Sequence, residues 1–264
     1  MASPVPRRYG AVNWRGLGAL AGRGIRRFFK EAVESLGGPA VSSLLLLAVF
    51  VLAAGGRAEL APGLALTSFI APGIVVFVLC HAAFEHAAVP LLYDKLEGMI
   101  GDLLAAPLSP LELLAGYVLS ALVNGLLVGA LVLGLAFVFV DLGVHDLGAL
   151  LGFVLAAALL FSLLGVLVGL WADKWEHYAM AESFLVLPLG FLSGTFFTLA
   201  SLPDAALALI VLNPVVYAVD GFRYGLTGHA ETALLPGAVL LAALNLALWL
   251  LLWRLFSVGY KLKA

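Results

Sequence analysis

The chain has 264 residues, of which 63% are hydrophobic and only 11% charged, with a mean hydropathy of +1.11. A water-soluble domain of this length needs far more charge to coat its surface, so the composition excludes one. The net charge of −2 is close to neutral and conceals an uneven placement of the 14 Lys and Arg.

Residues 1–9 read as a disordered basic tail. Within 10–36, and most clearly from Trp14 to Leu36, the residues Trp14, Leu17, Ala21, Ile25, Phe28, Phe29 and Val33 recur at three-to-four spacing. Arg15, Arg23, Arg26, Arg27, Lys30, Glu31 and Glu34 fill much of the remainder. The pattern predicts an amphipathic helix in the membrane interface, basic groups toward lipid phosphates and rings at the acyl boundary. That apolar face argues against a nucleic-acid role for the same basic run. The first long apolar run also starts too deep in the chain for an ordinary cleaved signal peptide.

Charge-free intervals follow at 35–56, 60–84, 113–140, 147–172, 183–203 and 232–253, each of at least 21 residues. About 20 apolar residues suffice to cross a hydrocarbon core as a helix. Lipid cannot satisfy an exposed backbone, so helices are the expected form. The prediction is an all-α polytopic membrane protein with six transmembrane helices and one transmembrane domain over 1–264. An even number of spans puts both termini on one side, together with the loops carrying Lys95 and Lys174. All Lys and Arg except Arg57 and Arg223 then share one face, which the positive-inside rule makes cytoplasmic.

The second span is unusual, because His81, Glu85 and His86 fall in its inner half. His81 and Glu85 are one helical turn apart and share a face. Ionisable groups at such depth face a bundle interior or a wet cavity. These three could pair structurally, line a pathway or hold a metal, although one helix without a second ligand cluster makes a poor metal site. Cys80 lies beside them as the single cysteine, which excludes a disulfide framework.

Between spans two and three lies a polar island, Tyr93–Pro110, with Asp94, Lys95, Glu97 and Asp102. Leu96, Met99, Ile100, Leu103 and Leu104 recur with helical period, which predicts an amphipathic helix over 93–107 ended by Pro107 and Pro110. Gly98 and Gly101 weaken that helix by about 1 kcal/mol each, so it needs something docked against it.

Span three carries Asn124 and the pair Gly125/Gly129. Gly148/Gly152 and Gly165/Gly169 lie in span four, and Gly190/Gly194 in span five. Small residues four apart allow close helix packing in lipid. A short polar, aromatic inner loop is predicted at 173–178, with Glu182 opening span five. From Asp204 to Asp220 the uncharged run is too short to cross and is broken by Asn213-Pro214. A re-entrant pair of short helices on the outer face, within 202–225, is the expected form, with a membrane-surface loop as the alternative. Asp220 and Arg223 are three apart and can pair at its exit.

Two blocks of this sequence resemble the permease subunits of ABC-2 type exporters. Gly98-Met99-Ile100 through Leu103-Leu104-Ala105-Ala106-Pro107-Leu108-Ser109 resembles the family's G-T-L-x-x-L-L-x-x-P-L-S segment. Leu192-Ser193-Gly194-Thr195-Phe196-Phe197, with Leu202-Pro203, Asn213-Pro214 and Gly221-Phe222-Arg223-Tyr224-Gly225, resembles its late signature. The chain departs from the family where an acid is common, since Gly101 stands there and Asp102 follows one position later.

The resemblance implies that the island (93–110) is a coupling helix fitting an ATPase groove. The contact residues would be Asp94, Lys95, Glu97, Gly98, Met99, Ile100, Asp102, Leu103, Leu104 and Pro107. His81, Glu85, His86 and Asn124 become pathway candidates, and Ser193, Gly194, Asn213, Pro214, Asp220 and Arg223 an outer gate. Two permease chains, taken as identical copies in a bacterial inner membrane, would sit over two ABC ATPase subunits. They would export an amphipathic, lipid-linked, glycan or drug-like substrate. No G-x-x-x-x-G-K-[ST] phosphate loop occurs in these residues, so ATP and Mg would belong to the partner and this chain would be no enzyme. Neither H-E-x-x-H nor G-x-S-x-G is found. The competing reading is a stand-alone channel or secondary transporter using Glu85 as its intramembrane carboxylate.

Overall fold

The computed structural model describes residues 12–54, 59–61 and 64–262. The basic tail, Arg57 and Lys263 lie outside the described residues. Helix α1 spans Trp14–Lys30, and a π turn at Val33–Gly37 leads into α2, Gly38–Ala54. A short antiparallel pair, β1 (Glu59–Ala61) and β2 (Leu64–Ala65), leads into the 31-residue α3, Leu66–Leu96. After α4 (Ile100–Ala105) come α5 (Pro110–Phe139) and α6 (Leu147–Trp171). Helices α7 (Trp175–Ala181) and α8 (Leu187–Phe191) are joined by a π turn at Glu182–Val186. The chain ends with α9 (Asp204–Ile210), α10 (Pro214–Thr227) and α11 (Leu234–Val258).

Capping groups explain several of these boundaries. Asn13 accepts from the Gly16 amide to start α1. Ser109 and Glu112 form a reciprocal capping box around Pro110 at the start of α5. Asp146 caps α6 and Asn213 caps α10, where Pro214 takes the first turn.

Helix α3 is the central element. Its side chains Phe69, Phe84, Leu91 and Leu92 are fully enclosed, and α5, α6 and α10 pack around it. Several of the sequence's small-residue positions let neighbouring helices approach α3 closely. A Cβ added at Gly125 of α5 would lie 2.7 Å from the Ala83 Cβ, and one at Gly169 of α6 2.7 Å from the Ala88 carbonyl oxygen. Gly190 likewise packs against Phe77. Gly152, by contrast, faces open space, so the Gly148/Gly152 pair is not a packing face in this chain.

Five helical segments are long and apolar enough to cross a bilayer, namely Val33–Leu52, α3, α5, α6 and α11. The count becomes six if α9 and α10, bent by 88° at their junction, form one broken crossing. The predicted fifth span, 183–203, is corrected. The helical unit there is Trp175–Phe191, and the chain from Leu192 to Thr198 is not helical. Charge-free length misplaced it because Glu182 is held by His81 and need not lie outside the helix. The helix also starts at Trp175, so the predicted inner loop 173–178 shrinks to Ala172–Lys174.

Candidate functional site

At one end of the bundle, four ties bind α1, α3, α5, α6 and the turn after α11 together. Asn13 donates its amide to Glu112 and its side-chain NH2 to the Pro107 carbonyl (2.9 Å), fastening the start of α1 to the start of α5. Arg23 forks onto both carboxylate oxygens of Asp94, and the Tyr117 hydroxyl donates to the same group. Lys95 donates to the carbonyls of Gly169 (3.2 Å), Leu170 (2.6 Å) and Ala172 (2.6 Å), closing the unpaired end of α6. Lys261 donates to the Trp171 carbonyl and to Asp173 (2.6 Å). That hydrogen bond holds the exposed Asp173 carboxyl below its ordinary pKa.

The polar island sits on this end, and the expected single helix over 93–107 is corrected. Tyr93, Asp94 and Lys95 form the last turn of α3, the chain breaks at Glu97–Met99, and the six-residue α4 follows. Gly98 at φ +75° makes the break, because that backbone conformation strains any residue with a Cβ. Asp94 and Lys95 therefore point into the bundle rather than outward, their side chains 3% and 10% exposed. Ile100 and Leu103 pack on the core cluster of Leu91, Leu114 and Tyr117, with Met99 half-buried. The outward surface consists of Leu96, Glu97, Gly98, Gly101, Asp102, Leu104, Ala105 and Pro107.

The second group of sequence candidates converges. His81, Glu85, His86 and Asn124 line a single cavity of about 470 Å³ between α1, α2, α3 and α5. The expected intrahelical partner for His81 is not the one found. His81 Nε2 lies 2.7 Å from Glu182 Oε1 on the π turn between α7 and α8. His86 stands edge-on to Phe28 of α1, their ring centres 5.1 Å apart. Glu85 makes no hydrogen bond or ion pair among the described residues. No three His, Cys, Asp or Glu side chains are arranged to hold a metal ion among the described residues.

The third group meets at the opposite end. Arg223, 1% exposed, donates to the carbonyls of Phe69 (3.1 Å) and Gly194 (2.7 Å) and to Asp220 (3.3 Å). Its guanidinium stacks 3.7 Å from the Phe69 ring centre. Asp220 also accepts from the amides of Glu231 and Thr232 and from the Thr232 hydroxyl. Glu231 in turn accepts from the Leu199 amide. Burial raises the Glu231 carboxyl above its ordinary value, a shift that the Leu199 amide and Arg223 oppose. Asn213 caps α10 with its oxygen and donates to the Leu189 and Leu192 carbonyls, closing α8. Ser193 and Thr195 hydroxyls lie 2.7 Å apart across Gly194, which takes φ +71° to make this turn. Gly194, Asp220 and Arg223 thus share one hydrogen-bonded network, with Ser193 beside it, while Asn213 and Pro214 form a separate junction that ties α10 to the end of α8.

The late signature and the island segment occupy opposite ends of a helical bundle with several bilayer-length helices, and residues 15–227, which contain both, match the family described as ABC-2 type transporter. The chain belongs to the ABC-2 type transporter family. It is a membrane transport permease by this membership. It is 31% identical over 251 residues to the inner membrane transport permease YadH of Escherichia coli K12, covering 95% of this chain and 98% of that relative. YadH of Shigella flexneri matches to the same extent. Nodulation protein J of Rhizobium leguminosarum bv. viciae is 25% identical over 233 residues, 83% of this chain and 84% of its own.

Sequence reasoning missed four partners in this ABC-2 permease: Arg23 for Asp94, Glu112 for Asn13, Glu182 for His81 and Glu231 for the Arg223 network. Each pairs across helices or loops, so no local period marks it. The acids Glu112, Glu182 and Glu231 each stand at the edge of an apolar run, which is a trace of position but not of partner.

Proposed function

We propose that this permease is the membrane subunit of an ATP-driven exporter whose motor is a separate ABC ATPase. It would act as a pair of permease copies over two ATPase chains, in a bacterial inner membrane with both termini cytoplasmic. The cargo is amphipathic, lipid-linked, glycan or drug-like and leaves from the cytoplasm or inner leaflet. ATP and Mg bind the partner.

The observation that carries the reading is the rigid mounting of an exposed acidic and apolar step. Glu97, Asp102 and Leu104 face outward, while Asp94 and Lys95, a turn or less away on α3, lock that step to α1, α5 and α6. A push on the step reaches α3, the helix around which the bundle is built. A ligand shifts a conformational equilibrium only through different affinities for its states, so ATP must act through such a docked surface. The docking surface is accordingly Leu96, Glu97, Asp102 and Leu104, with Asp94 and Lys95 in support.

At the opposite end, the Arg223 network fastens α10 to Phe69 and Gly194, and the amides of His145 and Asp146 donate to the Gly225 carbonyl. The C-terminal part of α10 is thereby tied to one end of the bundle, and Asn213 at the α9–α10 junction is tied to the Leu189 and Leu192 carbonyls, which supports a re-entrant outer gate and Trp175–Phe191 as the fifth crossing.

Co-purification in mild detergent with the ATPase encoded beside this chain tests the reading. Leu104→Asp combined with Asp102→Lys should abolish the complex while the permease still elutes as a single species. Unchanged binding would move the docking surface elsewhere. A wild-type chain that transports with no ATPase bound would favour the stand-alone carrier, for which Glu85, without a hydrogen bond or ion pair among the described residues, is the specific support.

A further inference from the structure

We propose that the cavity between α1, α2, α3 and α5 binds an organic ammonium group carried on an apolar body. The inference rests on the reading of this chain as a transport permease and names the chemical class of its cargo. The cavity, about 470 Å³, is large enough for a drug-sized molecule. One part of its wall is apolar, built by Phe28, Leu46, Ile74, Phe77 and Val78. The remainder is acidic and rich in acceptors.

The charges on that wall are unequal. Glu31, Glu34 and Glu85 face the cavity, and Arg27 is the lining cation. Arg27 is already engaged by Glu31 at 3.2 Å. The carboxylates of Glu34 and Glu85 are left without a cationic partner among the described residues. Neither lining histidine makes a hydrogen bond or ion pair with these carboxylates among the described residues: His81 bonds Glu182 and His86 packs edge-on against Phe28.

A second observation is independent of the acids. Asn124, 2% exposed, stands on the same wall, and its Oδ1 has no hydrogen-bond partner among the described residues. A buried acceptor left unpaired is costly, so an N–H donor is what this position lacks. An ammonium group has donors and no acceptors, and it matches a wall whose free groups are carboxylates and an amide oxygen. An anionic ligand would meet Glu34 and Glu85 with like charge. A neutral apolar ligand would leave all three acceptors unanswered. From Glu85 to the end of α3 is about 16 Å along the helix, so the site is recessed from the docking surface.

The test uses the full-length permease alone in nanodiscs of phosphatidylglycerol, without ATPase. Three probes share one fluorescent body: dansylcadaverine, its N-acetyl derivative and dansyl-aminohexanoate, carrying an ammonium, no charge and a carboxylate. The ammonium probe should bind about tenfold more tightly than the neutral one and more tightly still than the anion. Glu85→Gln should remove most of that preference, and Asn124→Ala should weaken the ammonium probe with little change for the neutral one. Gel-filtration behaviour and binding of the neutral probe show that each variant is folded. Equal binding of the three probes, or a preference unchanged in Glu85→Gln, would overturn the site.

Adding phosphatidylethanolamine separates two sources of the same chemistry. Competition with the ammonium probe supports the site and assigns it to a lipid headgroup, and absence of competition in a chain that retains the preference assigns it to a diffusing amine. Because no ATPase is present, failure of ATP coupling leaves this result standing, and failure here leaves the docking surface untouched.

Discussion

Replacing Arg223 by Met should destabilise the permease by about 3–5 kcal/mol, the range for removing one partner of a buried ion pair. The size follows from what is stranded. Asp220 keeps three other donors, the Glu231 and Thr232 amides and the Thr232 hydroxyl. The groups left unanswered are the carbonyls of Phe69 and Gly194, each costing about 1–3 kcal/mol when buried without a partner. Stacking on Phe69 is lost as well, while Met regains some of the desolvation cost of the guanidinium. Arg223→Lys should recover only part of the loss, because one ammonium cannot span acceptors on α3, α10 and the Gly194 turn. Urea unfolding in detergent, followed by tryptophan fluorescence, measures this. A loss below about 1 kcal/mol for the Met variant, or wild-type stability for the Lys variant, would refute the view that one planar fork holds this end together.

Gly125→Ala should cost about 1–3 kcal/mol because its Cβ meets Ala83 on α3, whereas Gly134→Ala, facing open space on the same helix, should gain up to about 1 kcal/mol; paired unfolding curves decide. Asp94→Ala should free α1 from α3, leaving Arg23 and Tyr117 without their shared acceptor, and limited trypsin digestion should then cut at Arg23 and Arg27 before the bundle unfolds. Unchanged protection would show that the Asn13 ties alone hold α1. Glu231, whose folded carboxyl is raised above its ordinary value of 4.5, binds more protons folded than unfolded. Its contribution to stability is therefore present at low pH and declines as pH rises from about 4.5 through the folded value. Glu231→Gln should remove that decline from the stability–pH curve, and a wild-type curve that falls less steeply than the variant's across this range contradicts the assignment.

Much of the site was legible, but at the level of segments. The Asp220–Arg223 pair lies within one helix, three residues apart, and spacing alone brings them within reach. The Asn213-Pro214 break likewise announces itself, through a capping side chain followed by a proline fixed for the first turn. At the island the geometry departs from the sequence pattern. Period alone makes 93–107 one amphipathic helix, but Gly98 takes a left-handed backbone, Asp94 finds partners 23 and 71 residues away, and Lys95 finds its acceptors 74 or more residues away. Pairing of that kind leaves no periodic signal.

By itself, the sequence determined that this is a helical membrane protein, roughly where most helices run, and which polar residues stand out. Apolar length, charge placement and turn chemistry are local quantities, and they suffice for that. Tertiary structure decided which polar groups are free. Among the described residues His81 belongs to Glu182 and Lys95 to the end of α6, so Glu85, the Asn124 amide oxygen and the outward face of the α3–α5 connection remain available. The physical reason is that a buried charge is satisfied by whatever packing brings within about 3 Å, and that neighbour is seldom close in the chain.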